Sequence, residues 1–369
     1  MKKDVFLVAF SIRLPGLNNL DEICRVLTGS YTLPELESQI LSNGSKVEFG
    51  KLKIHPDEEY FPQRQDAKIM RKDVLAATIC AGELMNKVHL PDEIISEIPL
   101  YIASGCFVEN IFNQSDKTAE AFKKALEISD PVKMKEMLYK AIPPLLALNT
   151  LTNAASSYVA QYSKLAGNNC TFGNTTIGGS YALNMAFNEI RNGSSNLAVA
   201  GATNMGELFS FLSFNQFFDL CGLWRESTGA ALLMLCDKGF LINSNLEALC
   251  KIENIEFSEK APSLLRKPNF GSTDIANLPS ASETIFFSGA YTDASYSDQL
   301  KLFKTFSSGC FSWYPFLGGM GPVSSLLNIL SFAGKVKTGE CDSGVCWDKD
   351  PYGRESLITL KKDDLSVVS

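Results

Sequence analysis

Short apolar runs alternate with segments of helical periodicity along most of this chain. That alternation restricts it to folds in which helices cover a substantially parallel sheet, the α/β class. Val5–Phe10, Ile98–Ala103, Leu197–Ala200, Ala230–Leu235 and Ile285–Phe287 read as strands, and Cys170–Phe172, Ala248–Ile255 and Leu357–Leu360 as further ones. Between them, Ala67–Leu90 carries Ile69, Met70, Val74, Ala77, Cys80, Ala81, Leu84 and Met85 at helical spacing. Ile177–Arg191 reads as a helix stopped by Asn192-Gly193, and Gly318–Ala333 as one entered through a Gly-Gly turn. Pro143-Pro144 breaks the chain before Leu145–Leu165, whose Ala, Ser and Asn content suits a tightly packed helix. Two strands end alike: Tyr101-Ile102-Ala103-Ser104-Gly105 and Ile285-Phe286-Phe287-Ser288-Gly289. That echo points to a duplicated half.

Several chemistries are disfavoured by what is present. With 34 Lys+Arg against 41 Asp+Glu and no dense basic stretch, no nucleic-acid face is expected. No apolar run approaches the roughly 20 residues of a membrane span, and Val5–Phe10 reads as a buried strand rather than a signal peptide. The ten cysteines are scattered, several within apolar segments, as reduced, buried thiols of a cytoplasmic protein would be. Cys341 and Cys346 read as surface-loop cysteines, and no metal or cofactor is expected. The chain has two histidines, His55 and His89, neither placed to serve as a catalytic base. Gly173-x-x-x-x-Gly178-Gly179-Ser180 lacks the lysine of a phosphate loop. Its small residues suit a helix start packed closely under neighbouring backbone. No Gly-x-Ser-x-Gly elbow occurs, and Ser156-Ser157 reads as a packed helix face.

One segment carries a family resemblance. Leu165-Ala166-Gly167-Asn168-Asn169-Cys170-Thr171-Phe172-Gly173-Asn174-Thr175-Thr176-Ile177-Gly178-Gly179-Ser180, then Ile190-Arg191-Asn192-Gly193 and Leu197-Ala198-Val199-Ala200-Gly201-Ala202, resembles the nucleophile region of β-ketoacyl synthases. Val5–Pro15, Asp66–Leu90, Asn153 within Leu145–Leu165, and Gly318-Gly319-Met320-Gly321 resemble other segments of that family in order. The resemblance implies a thiolase-like five-layered α/β/α/β/α sandwich of two similar halves, divided as 1–225 and 226–369 in one compact unit.

The departures from the family are at its catalytic positions. The acceptor cysteine aligns with Thr176, with Cys170 six residues too early. The first histidine aligns with Ser288, the second falls near Pro315, and the lysine before it near Cys310. The glycine-rich C-terminal loop is replaced by Asp348–Arg354. Condensation needs a thiolate to accept the acyl group and imidazoles to handle malonyl decarboxylation and the enolate. A threonine without a base is no substitute. The resemblance therefore implies a chain-length-factor-like subunit, no enzyme on its own. It would pair as a heterodimer with an active ketosynthase, meet acyl carrier protein through that complex, and shape the acyl tunnel. The form is similar to partner subunits of bacterial aryl polyene type II polyketide systems. Leu145 and Leu146 are expected in the tunnel, and the strand Asn169, Cys170, Thr171, Phe172 at the dimer interface. Two alternatives stand beside this: an acyl-transferring or decarboxylating enzyme with rewired chemistry at Thr176, Cys170 or Cys310, and a purely scaffolding member.

Overall fold

The computed structural model describes residues 2–40, 46–105, 123–141, 151–173, 176–206, 223–259, 283–307, 309–350 and 353–363. The first elements are β1 (Val5–Arg13), α1 (Leu20–Leu27), β2 (Glu37–Ile40), β3 (Lys46–Gly50), α2 (Arg64–Ala67), α3 (Lys72–Val88), α4 (Asp92–Glu97) and β4 (Leu100–Ser104). There follow α5 (Pro131–Ala141), α6 (Ala154–Ser163), β5 (Asn169–Gly173), α7 (Gly178–Arg191), β6 (Leu197–Asn204), β7 (Trp224–Ser227), β8 (Gly229–Asp237) and α8 (Lys238–Asn243). The last are β9 (Cys250–Glu259), β10 (Thr284–Ser288), α9 (Asp293–Lys304), β11 (Cys310–Phe311), α10 (Tyr314–Leu317), α11 (Val323–Lys337), β12 (Ser343–Lys349) and β13 (Arg354–Lys361).

Ten strands form one sheet in the order β11-β10-β12-β13-β9-β1-β8-β6-β4-β5, and β2-β3-β7 form a small second sheet. The large sheet is two copies of one five-stranded pattern. In the first, β4 runs parallel to β5 and β6, β6 antiparallel to β8, and β8 antiparallel to β1. In the second, β10 runs parallel to β11 and β12, β12 antiparallel to β13, and β13 antiparallel to β9. The copies join where Val5, Phe6 and Leu7 pair with Ile252, Lys251 and Cys250. The Ser-Gly echo falls on equivalent strands, since β4 leads into Gly105 and β10 into Gly289. Gly229–Asp237 pairs with β1 and β6. We therefore propose that the halves divide within 238–249 rather than at 225/226.

Successive side chains of each strand enter different apolar layers, which is why the strands carry no polar alternation. Ile102, Val199, Leu232 and Met234 pack on Val74, Ala77, Cys80 and Leu84 of α3. Tyr101, Ala103, Ala200 and Leu233 face the middle layer, where α7 (Leu183, Phe187) and α11 (Leu326, Leu330) lie. Phe286, Cys346 and Ile358 close that layer from the second half. Ile285, Phe287, Val345 and Trp347 turn outward onto Phe303 of α9. The layers are thus α3/α6, the first half of the sheet, α7/α11, the second half of the sheet, and α9. Each Leu or Phe fully buried in them contributes about 1.5–3 kcal/mol relative to exposure.

Strand β12 contradicts one expectation. Cys346 is no surface-loop cysteine: it is fully buried in β12, and Cys341 is partly buried against the same core. Gly344 and the charged Asp348-Lys349 hide this strand in the sequence, yet six of its seven residues are buried. No helix among the described residues is long and apolar enough to cross a membrane.

Candidate functional site

The N-termini of the two central helices meet. A Cβ added to Gly179, in the first turn of α7, would lie 2.0 Å from the carbonyl oxygen of Pro322, the cap of α11. Gly179 therefore packs helix against backbone, as the small residues here suggested. Both helices begin beyond the carboxyl ends of their preceding strands, where open α/β folds place their sites.

Around this junction is a buried polar cluster. Thr176 is 1% exposed. Its carbonyl accepts a hydrogen bond from Ser325 Oγ at 3.1 Å, and its Oγ1 lies 3.3 Å from the Tyr291 hydroxyl. Asp348, wholly buried at the end of β12, gathers donors from four elements. Ser180 Oγ of α7 donates at 2.7 Å, Ser356 Oγ of β13 at 3.2 Å and Asn328 Nδ2 of α11 at 3.3 Å, and Ser288 Oγ of β10 donates as well. No lysine or arginine among the described residues forms an ion pair with this carboxyl. Burial raises its pKa above the ordinary carboxylate value, and the serine hydroxyls partly offset that rise.

On the other side of Thr176, the Tyr291 ring stacks on Trp224 with centroids 4.9 Å apart. Trp224 Nε1 donates to Glu226 at 3.3 Å, and Asn204 Nδ2 donates to the same carboxyl at 3.1 Å. A cavity of about 10 Å³ remains between Ser288, Ser312, Tyr314, Ser324 and Asn328. A larger open groove, about 540 Å³, lies by Glu97, Asn168 and Glu189 at the opposite, amino ends of β4 and β5.

Of the residues singled out from sequence, Thr176 and Ser288 join this one cluster through Ser325, Ser180 and Asp348. Pro315 does not: it is exposed near the start of α10. Cys310 sits on β11 at the edge of the α9 layer, its thiol donating to the Ser307 carbonyl at 3.2 Å. Burial raises that thiol's pKa. Burial likewise pushes Cys80, Cys236 and Cys250 up to about 12. Asn169, Cys170, Thr171 and Phe172 lie on β5, the end strand of the large sheet, where Cys170 is exposed. Phe172 stacks on Tyr181, and Tyr181 on Phe257. Leu145 and Leu146 lie outside the described residues. The alignment of motifs missed Asp348, Tyr291 and Trp224. An aspartate directly after the apolar Val345-Cys346-Trp347 was the one available sign of a buried carboxyl.

The beta-ketoacyl synthase N-terminal domain matches residues 2–218, and the chain belongs to the β-ketoacyl synthase family. No curated protein sequence matches it. Among solved structures, the ishigamide ketosynthase/chain length factor is similar at 13% identity and a TM-score of 0.72, over 98% of this chain and 100% of that one. A second is a type II polyketide synthase acyl-carrier protein in complex with its ketosynthase bound to the hexaketide, at 14% identity and TM-score 0.69, again over 98% and 100%. Ketosynthase twelve of the bacillaene polyketide synthase from Bacillus amyloliquefaciens gives 12% and 0.68, over 98% of this chain and 75% of its own. At these identities the likeness is one of fold, and that fold is thiolase-like.

Proposed function

We propose that this chain is a non-catalytic, chain-length-factor-like subunit that pairs with an active β-ketoacyl synthase and shapes its acyl tunnel. The observation that carries the reading is the cluster at the start of α7. The alignment that puts the family's acceptor cysteine at Thr176 and its first histidine at Ser288 brings two hydroxyls together there. The side chains hydrogen-bonded into the cluster are serine, threonine, tyrosine, asparagine and aspartate, with neither cysteine nor histidine among them. A threonine hydroxyl bonded to tyrosine is hardly ionised at neutral pH. Acyl transfer would be left to the partner, with acyl carrier protein meeting the complex rather than this chain alone.

Pairing through β5 is part of the same proposal. The outer edge of this strand carries no further strand among the described residues, and an open edge is an aggregation liability unless another chain covers it. Assignment to an aryl polyene system, a cytoplasmic location, and a stop to chain growth at Leu145 and Leu146 rest on the family resemblance.

The test is to purify the chain alone and co-purified with a ketosynthase, incubate each with acyl and malonyl carrier-protein thioesters, and record intact masses and products. The pair should turn over and the chain alone should remain unmodified. Acylation of the isolated chain at Thr176, Cys170 or Cys310 would favour the rewired-enzyme alternative.

A further inference from the structure

We propose that Tyr291 is a fixed lid over residue 176, closing that position to the thioester arm of a carrier and to an acyl chain. This deepens the reading above and rests on its premise that Thr176 stands at the acceptor position. It adds a separate reason for inactivity: access is lost as well as the nucleophile.

The ring is held by its hydroxyl, one face and one edge. Its hydroxyl reaches Thr176 Oγ1 at 3.3 Å, and its face stacks on Trp224 at 4.9 Å and an interplanar angle of 18°. Trp224 is wholly buried and anchored by Glu226, which is in turn bonded to Asn204. The Tyr291 backbone is tied at both ends: its N–H donates to Ser295 Oγ at 3.2 Å, and its carbonyl accepts from the Arg225 N–H at 3.0 Å. Gly319 presses on the ring so closely that a Cβ there would lie 2.5 Å from Tyr291 Cδ1. The capping box of Thr292 and Ser295 starts α9 directly after it and fixes the turn. Among the described residues, these contacts hold the ring over Thr176.

The cavity beside the ring, lined by Ala290 and Gly319, is small. At about 10 Å³ it is near the lower limit for one water molecule. Small-molecule sites run to roughly 300–1,000 Å³. Truncating a large buried side chain leaves a cavity that the surroundings fill only in part. Removal of this ring should therefore expose residue 176.

The test uses the full chain in a Cys170→Ser background, so that the peptide spanning β5 and α7 reports a single thiol. Thr176→Cys places that thiol under the lid. Iodoacetamide is the probe: the thiolate displaces iodide, its proton having gone to buffer, and the peptide gains one carbamidomethyl group. With Tyr291 intact, or with Tyr291→Phe, labelling of native protein should be slow. With Tyr291→Ala it should be at least tenfold faster. Near-ultraviolet circular dichroism confirms that each variant is folded; should the alanine variant not fold, Tyr291→Leu is read in the same way. Fast labelling with the tyrosine in place, or slow labelling in a folded truncation variant, overturns the proposal. Because neither ketosynthase nor carrier protein is present, this result is independent of pairing. A chain that never co-purifies with a ketosynthase would defeat the pairing reading and leave the lid standing.

Discussion

Ser180, on the central helix of the first half, donates a hydrogen bond at 2.7 Å to the buried carboxyl of Asp348, on β12 of the second. The two halves are thus joined at their interior by a polar contact as well as by apolar packing. The carboxyl also collects Ser288, Ser356 and Asn328. Asp348→Ala should destabilise the chain by about 1–3 kcal/mol, because buried donors lose their acceptor. Urea unfolding of both proteins measures this.

The same carboxyl should leave a signature in pH. Its folded pKa is raised above the ordinary 3.8, burial being the largest cause. The folded state then binds a proton that the unfolded state has released. The stability it contributes is fully present below about pH 4 and is lost as pH rises through the folded value. Asp348→Asn removes that titration. Relative to wild type, the asparagine variant should become progressively more stable as pH rises from about 4 toward neutrality. A stability difference that stays flat over this range would show that Asp348 titrates normally.

Gly179→Ala should cost more than its single methyl suggests. The added carbon would sit 2.0 Å from the Pro322 carbonyl, and that contact is backbone against backbone. Central helices α7 and α11 would have to part. Strain from overpacking is typically about 1–3 kcal/mol and occasionally more. The thermal midpoint should fall, whereas alanine at Gly29, with open space around it, should cost less at the packing level. Its left-handed φ of 72° still carries a backbone penalty, so Gly29→Asn is the better control.

Cys170→Lys should weaken pairing with a ketosynthase and leave the chain's own stability within about 0.5 kcal/mol, as for most exposed substitutions. The side chain is exposed on β5, and lysine on an edge strand opposes pairing with another chain. Light scattering during size exclusion of the co-expressed pair distinguishes heterodimer from separate chains. Undiminished heterodimer would place the interface elsewhere.

The strand and helix pattern was readable because the layers are apolar on both sides of each strand. Val5–Phe10, Leu197–Ala200 and Ala230–Leu235 have no other way to be satisfied. The duplication was visible only as the Ser-Gly echo, since the two halves share topology rather than residues. Strand β12 was not readable: Gly344, Asp348 and Lys349 look like loop residues until partners from four other elements surround them. The site was half legible for a related reason. Thr176 and Ser288 follow from motif spacing, which is local. Asp348, Tyr291 and Trp224 matter largely through partners distant in sequence, Ser180 and Ser288 for Asp348, Thr176 and Trp224 for Tyr291, which spacing does not encode.

Restoring the nominal catalytic residues should not restore condensation. Thr176→Cys supplies a thiol, but burial in a site closed by Tyr291 disfavours its thiolate and blocks its partner. Adding Ser288→His supplies one imidazole in place of a serine that now bonds to Asp348. The position aligned with the second histidine, Pro315, is exposed and does not face the cluster. A histidine there has no route to an enolate at residue 176, so malonyl decarboxylation lacks its second donor. Residues that act as a unit do not return activity one at a time. The double variant, incubated with acyl and malonyl carrier-protein thioesters, should give no condensation product by mass spectrometry. Product from the double variant alone would mean that the pocket is open and that the second imidazole is dispensable, and both the lid and the non-catalytic reading would then have to be given up.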